Sequence, residues 1–169
     1  MDAFLSFVER SDLSMWIRGD SLLAFPTIIT LHTIGMGFLA GGSTAIDLRI
    51  LGFAPGIPVK SMVRFYPLLW LALALNIPTG ILLVIGYPTK QLTNPIFYVK
   101  LSLLALAIWL LVRIGTDMVR FEETASKSAS RHVKRLAAFS IAAWVLLIIA
   151  GRLLEYTQKW ELLGVPAAH

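Results

Sequence analysis

The stretch that decides the fold is residues 21–52, SLLAFPTIITLHTIGMGFLAGGSTAIDLRILG. From Leu22 to Ile46 it contains no Asp, Glu, Lys or Arg. At 1.5 Å per residue this span is roughly 35 Å long, which is enough to cross a hydrocarbon core of ~30 Å. The pattern predicts a first transmembrane helix over residues 22–46, with His32 as its ionisable group.

This first span has two different faces. On a helix of about 100° per residue, His32 and Asp47 fall on one face, while Gly37 and Gly41 lie roughly opposite. A GxxxG pair lets a second helix approach closely, so Gly37 and Gly41 are predicted to be a helix-packing face. Polar groups within a span are costly, so we expect His32 either to serve a function or to hydrogen-bond to a neighbouring helix.

The composition is that of a membrane protein. Of the 169 residues, 57% are hydrophobic and 15% are charged, and the mean hydropathy is +0.74. The net charge of +5 does not indicate nucleic acid, because the basic residues lie in loops beside apolar spans. The absence of cysteine excludes disulfides, thiolate metal sites and cysteine nucleophiles.

Three further spans follow, at residues 66–86, 96–116 and 136–156, each long enough to cross a bilayer. The second contains Pro78, which is expected to kink the helix and to free a carbonyl that Asn76 or Thr79 can help to satisfy. Residues 1–20 mix apolar and charged side chains and predict one or two short interfacial helices, with Trp16 as an anchor. The fold class is therefore all-α, an antiparallel four-helix transmembrane bundle over residues 21–157 with a tail at 158–169.

The distribution of Lys and Arg predicts the orientation. Nine lie after the first and third spans, and four lie on the opposite side, with Lys100 and Arg152 just inside the spans. The positive-inside rule places both termini outside, which is the periplasm for a protein of the bacterial inner membrane. The nine are Arg49, Lys60, Arg64, Arg113, Arg120, Lys127, Arg131, Lys134 and Arg135, and the four are Arg10, Arg18, Lys90 and Lys159.

The polar groups within the spans predict a binding site. If Lys100 and Arg152 point inward, they form with His32 an electropositive pocket open to the periplasm, suited to an anion, a quinone carbonyl or heme propionates. Asn76 and Tyr156 complete the candidate ligand-binding set. The alternative is that both cations snorkel outward to lipid headgroups.

Heme b is the sharper cofactor hypothesis, because four-helix membrane proteins can hold heme between histidines. The other histidines are His132, in the loop before the fourth span, and His169, in the tail. His132 is too far along the bundle to share a heme with His32, which leaves His32 as a sole axial ligand. No nucleotide-binding, zinc-protease or serine-hydrolase motif is present, so no catalytic residue is predicted.

Asp47 lies where the first span meets the cytoplasmic interface, at the same level as Arg64 before the second span. The two are predicted to form a structural ion pair across the Gly- and Pro-rich loop. A proton relay between Asp47 and His32 is the alternative. The fifteen residues between them correspond to roughly 22 Å, which rules out direct exchange.

The residues that carry a family resemblance are spread over all four spans. They are Pro26, Leu31, His32, Gly35, Gly41, Asp47, Leu48, Arg49, Leu51, Gly52, Arg64, Pro67, Thr79, Gly80, Asn94, Pro95, Phe97, Lys100, Trp144, Gly151, Arg152 and Tyr156. This pattern resembles a bacterial family of small four-helix inner-membrane proteins and, more distantly, the membrane domain of copper-resistance D proteins. The resemblance implies a four-helix bundle with His32, Lys100 and Arg152 as the leading site residues, and it implies no reaction.

Two functions follow as hypotheses. One is a protein that binds a small ligand or cofactor, redox-linked through heme or quinone, in the pocket of His32, Lys100 and Arg152. The other is a non-catalytic subunit whose Gly37 and Gly41 face docks on another membrane protein or on a second copy of the chain.

Overall fold

The computed structural model describes residues 2–19, 21, 23–123 and 130–156. This part of the chain contains eight helices and no strand: α1 (Asp2–Glu9), α2 (Asp12–Arg18), α3 (Phe25–Leu51), α4 (Val59–Val63), α5 (Tyr66–Gly86), α6 (Pro88–Leu92), α7 (Pro95–Glu123) and α8 (Arg131–Tyr156). Four long apolar helices can cross a membrane, which confirms the predicted all-α polytopic bundle. The predicted tail with Lys159 and His169, and Lys127 in the loop before α8, lie outside the described residues.

Local sequence explains where the helices begin and end. Pro26, Pro67, Pro88 and Pro95 lie in the first turns of α3, α5, α6 and α7, where the missing N–H of proline costs nothing. The C-terminus of α3 is set by Gly52, whose φ of 110° is the left-handed conformation that glycine adopts without strain.

The spans differ from the predicted bounds mainly at their polar ends. Helix α3 continues to residue 51 rather than 46, and α7 and α8 extend beyond the predicted 96–116 and 136–156 toward the polar loop that joins them. Charged residues such as Arg, Lys and Glu are good helix formers, so they prolong helices past the apolar segment. The predicted loop after α3 contains α4. Arg49 fixes the part of the loop before α4 by donating hydrogen bonds to the carbonyls of Ile57 and Pro55.

The four long helices pack in the order α5, α3, α8, α7 around a shared core. Helix α3 packs against α5 and α8, α8 packs against α7, and α5 and α7 hardly touch. We call the end that carries Phe25 and Tyr156 the outer end, and the end that carries Leu51 and Arg131 the inner end, following the predicted orientation. The fully buried core side chains include Leu39, Ile46, Leu69, Leu110, Ile114, Trp144 and Leu147.

At the inner end one side chain bridges the gap between α5 and α7. The Tyr66 hydroxyl donates to the carbonyl of Leu111 on α7 at 3.4 Å, and a Cβ added to Gly115 would lie 2.6 Å from the Tyr66 ring. Helix α4 also packs on α7. The bundle is therefore closed between α5 and α7 at this end.

The N-terminal helices cover the outer end. Ile17 of α2 is fully buried against Gly86 at the end of α5, and the Ser14 hydroxyl donates to the Gly86 carbonyl at 3.4 Å. Helix α1 packs on α6. Two short helices are thus present within the predicted N-terminal segment, and their location at a membrane interface stays a prediction.

The packing glycines of α3 are not the predicted ones. Gly37 and Gly41 are exposed, and a Cβ added to either would meet nothing within 4 Å. Helix α3 instead approaches α5 through Gly35, which faces the Ala72 carbonyl and Asn76, and through Gly42, which faces Leu69. In the described part of the chain no helix packs closely on Gly37 or Gly41, although Gly41 borders an open groove beside Trp144 and Val145 of α8, so the predicted close packing at these two glycines is not found there. Docking of a second protein there stays a prediction.

The contact between Tyr66 and Gly115 gives a test of the bundle. Gly115→Ala forces a methyl group into the Tyr66 ring, and such overpacking typically destabilises by about 1–3 kcal/mol. Gly37→Ala adds the same methyl group in open space and removes a poor helix former, so it should be neutral or mildly stabilising. We expect a lower thermal unfolding midpoint in detergent for Gly115→Ala alone; equal midpoints for the two variants would contradict the closure at the inner end.

Candidate ligand-binding cavity

A cavity of about 320 Å³ occupies the gap between α5 and α7 in the outer half of the bundle. Its wall is mostly apolar and comes from α3, α5, α6 and α7. Ile77, Ile81 and Leu101 line it and are each about half exposed on the outer surface of the spans. Because that surface faces lipid in a membrane, the cavity opens sideways into the bilayer.

His32 lies in the cavity wall and is fixed by α5. Its Nδ1 is 3.1 Å from the Thr79 hydroxyl, and that hydroxyl also lies 2.8 Å from the Leu75 carbonyl. The carbonyl can only accept, so the single hydroxyl proton of Thr79 is directed to it, and Nδ1–H of His32 then donates to Thr79. In the neutral imidazole this leaves Nε2 with a lone pair. Within the described part of the chain Nε2 has no hydrogen-bond partner.

Asn76 ties the backbone of α3 to α5 beside the imidazole. Its side-chain amide donates to the His32 carbonyl at 2.8 Å, and Asn76 itself is buried. Two glycines make this approach feasible: a Cβ on Gly35 would lie 3.2 Å from Asn76, and one on Gly80 would lie 3.2 Å from the His32 ring. The imidazole is therefore held in place by its neighbours in α5.

Lys100 supplies a cation to the same cavity from α7. Its aliphatic stem passes Gly151 of α8, whose added Cβ would lie 3.9 Å from Lys100 Cε. In the described residues no carboxylate lies within ion-pair distance of Lys100; Glu155 acts on it from farther away and pairs instead with Lys90 at 3.4 Å. Lys100 also acts electrostatically on His32. The cavity wall thus carries one cation without a close counter-charge.

Three of the five predicted ligand-binding residues come together and two do not. His32, Asn76 and Lys100 line the cavity. Arg152 and Tyr156 are exposed and are not part of its wall. On α8, Gly151 rather than Arg152 is the residue beside Lys100, because neighbouring residues on a helix lie 100° apart.

Thr79 and Gln91 are the polar residues of this region that the sequence did not identify as site residues. Thr79 was expected only to satisfy a carbonyl near Pro78, and its hydroxyl does donate to the Leu75 carbonyl at 2.8 Å, with the Asn76 carbonyl also near at 3.1 Å. Its hydroxyl also accepts a hydrogen bond from His32, and this depends on which faces of α3 and α5 pack together. Gln91 lines the cavity from α6, in a link whose helical structure the sequence did not predict.

The structure offers no second histidine for a heme on His32 in the part of the chain that it describes. His132 lies in the first turn of α8 at the inner end and is exposed. His32 is seven residues from the outer end of α3, so the two differ in depth by more than 20 Å. No group of three or more His, Cys, Asp or Glu side chains able to hold a metal occurs among the described residues.

The predicted ion pair between Asp47 and Arg64 is wrong. Asp47 is only 2% exposed, whereas Arg64 is exposed, and no salt bridge joins them. Asp47 instead faces α8, where its carboxyl interacts with Ser140. The pairing failed because Arg64 ends α4, before α5 begins, and lies on the outside of the loop.

Comparisons with known proteins identify no relative. No protein-family model matches the chain, and neither a curated protein nor a solved structure shows significant similarity to it. The resemblance to the small four-helix inner-membrane family and to copper-resistance D membrane domains therefore stays a prediction.

The hydrogen bond between His32 and Thr79 predicts a definite tautomer. In protein labelled with ¹⁵N-histidine, the neutral His32 imidazole should show a protonated Nδ1 and an unprotonated Nε2 by NMR, with His32→Gln identifying the signal. Thr79→Val removes the hydroxyl at nearly constant size, so the imidazole should become a mixture of tautomers. Thr33→Val is the matched control, because the Thr33 hydroxyl is exposed and donates to Ile29. A proton on Nε2 in the unmodified protein would contradict this geometry.

Proposed function

We propose that the protein binds a lipid-soluble quinone in the cavity between α5 and α7. One observation supports the proposal: the wall of a mostly apolar cavity open to lipid holds the Lys100 ammonium and the His32 Nε2, and neither has a hydrogen-bond or ion-pair partner among the described residues. Burial of a cation and of a hydrogen-bonding nitrogen in such surroundings is costly unless they gain partners. A ligand with a polar head and an apolar body supplies those partners.

The chemistry of a quinone matches the two groups. A quinone carbonyl accepts a hydrogen bond from the Lys100 ammonium, and the hydroxyl of the reduced quinol donates to the lone pair of His32 Nε2. The apolar tail leaves between Ile81 and Leu101 into the bilayer. The cavity volume of about 320 Å³ lies at the lower end of the range for small-molecule sites, which suits a head group whose tail remains outside.

Heme b is the second candidate, and one observation favours it. An imidazole with Nδ1–H bonded to a neighbour and a free Nε2 lone pair is the state that ligates iron. His32 would hold the heme iron, and Lys100 would supply a cation for the propionates. A visible absorption spectrum of the purified protein separates the two candidates, because only heme gives a Soret band that His32→Ala abolishes.

We place the protein in the bacterial inner membrane with both termini in the periplasm. The four long apolar helices support a multi-pass membrane protein in contact with lipid, and the excess of Lys and Arg in the inner-end loops supports the orientation. The cavity then lies in the periplasmic half of the bilayer.

A purely structural subunit is less well supported. The open surface at Gly37 and Gly41 leaves room for a helix of another subunit or of a second copy. A structural role, however, gives no reason to place Lys100 in an apolar cavity or to leave His32 Nε2 without a partner.

Photolabelling tests the proposal. The protein in lipid nanodiscs is labelled with an azido-quinone carrying a ten-carbon tail, in competition with unlabelled decylubiquinone, and the labelled peptides are identified by mass spectrometry. We expect competed labelling in α5 and α7. Loss of one charged hydrogen bond is worth about 1.5–3 kcal/mol, so Lys100→Met should weaken competition roughly 10- to 100-fold.

Arg152→Met is the matched control, because it removes an exposed cation at the same end of the bundle that does not line the cavity. Competition should be unchanged in this variant. Labelling that decylubiquinone does not reduce, or an equal loss in both variants, would contradict quinone binding in the cavity.

A further inference from the structure

Four polar side chains form a second buried group, between α3 and α8 toward the inner end. Ser43 and Asp47 belong to α3, and Ser140 and Trp144 belong to α8. Each is at most 2% exposed. Ser43 Oγ, Asp47 Oδ2, Ser140 Oγ and Trp144 Nε1 all lack a hydrogen-bond partner among the described residues.

The four side chains lie at two adjacent levels of one interface. Ser43 and Asp47 are four residues apart, as are Ser140 and Trp144, so each pair shares a helix face. Helices α3 and α8 are antiparallel and pack together, and the Asp47 carboxyl interacts with Ser140. Since neither Asp47 Oδ2 nor Ser140 Oγ makes a direct hydrogen bond, the two groups are near but not in bonding geometry. One turn toward the outer end, Ser43 and Trp144 occupy the next level.

The types of these groups indicate what fits between them. The Trp144 indole can only donate, the Asp47 carboxylate accepts, and the hydroxyls of Ser43 and Ser140 can do either. A water molecule accepts two hydrogen bonds and donates two, and buried waters commonly make two to four. One or two waters therefore satisfy all four atoms.

A metal cation fits less well. The site offers oxygens from three side chains, two of them uncharged serine hydroxyls, while the backbone carbonyls of the unbroken helices α3 and α8 are used within the helices. The Trp144 N–H would also direct its positive end toward the cation. Tyr66 of α5 is close enough to Asp47 for the two to interact electrostatically, but a tyrosine is not a cation.

We propose that water bound between α3 and α8 bridges Trp144 and the two serines to the Asp47 carboxyl. Asp47 is four residues from the inner end of α3, or about 6 Å along the axis, so water has a short path to it. The bridge joins α3 to α8 at the inner end. It is separate from the cavity at His32 and does not depend on quinone binding.

The Trp144 indole proton reports on this site directly. In protein labelled with ¹⁵N-tryptophan in bicelles, the Trp144 signal is assigned with Trp144→Phe. We expect a cross-relaxation peak between the Trp144 indole proton and water, and none for Trp109, which is exposed on the middle of α7 toward lipid. Asp47→Asn keeps an acceptor oxygen and should keep the peak, whereas Asp47→Leu should reduce it to the level of Trp109.

Two controls keep the test decisive. The double variant Ser43→Ala with Ser140→Ala should retain the peak, because Trp144 and Asp47 can still hold the water, and this result excludes transfer through the serine hydroxyl protons. Absence of the water peak in the unmodified protein would overturn the proposal. A shift of the Trp144 signal when sodium is replaced by choline at constant ionic strength would also overturn it, in favour of a cation.

Discussion

The arrangement of the bundle depends on the polar contact between α3 and α5 at mid-depth. Asn76 donates to the His32 carbonyl at 2.8 Å, and Thr79 accepts from the His32 ring at 3.1 Å. In a bilayer, polar groups gain no hydrogen bonds from water, so they must find partners on neighbouring helices. Gly35 and Gly80 allow the close approach that these bonds require. The contact fixes the rotation of α3 and directs the His32 Nε2 side of the ring away from Thr79.

The same contact explains why a cavity exists. With α5 held on α3, and α7 held on α8, the space between α5 and α7 is crossed at the inner end, where Tyr66 reaches Leu111, while α6 contacts both helices at the outer end. The outer half stays open to lipid and contains Lys100, a cation without a close counter-charge in the described residues. A gap between two spans, lined by aliphatic side chains and by His32, Asn76, Gln91 and Lys100, supports the proposal that a lipid-soluble molecule with a polar head binds there.

The sequence predicted the spans and selected His32, Asn76 and Lys100, which line one cavity, because apolar length and isolated polar residues are read directly from the chain. It could not predict which face of α3 meets α5, since helical periodicity gives angles but not neighbours; the exposed Gly37 and Gly41 were therefore chosen over Gly35 and Gly42. Arg152 lies one residue from Gly151, a difference of 100° that decides between lying beside Lys100 and being exposed. The predicted ion pair between Asp47 and Arg64 is absent for a similar reason, because the composition of a loop does not determine the path of its backbone.

If a quinone enters the cavity sideways between α5 and α7, as proposed, closing that gap should abolish binding. The chain has no cysteine, so Ile81→Cys with Leu101→Cys places the only two thiols at the mouth of the cavity, where a short bismaleimide can join them. Competition by decylubiquinone should be normal before cross-linking and lost afterwards. Each single-cysteine variant, treated with the same bismaleimide and then quenched with free cysteine, should lose much less of this competition. Unchanged binding in the cross-linked protein would contradict the account.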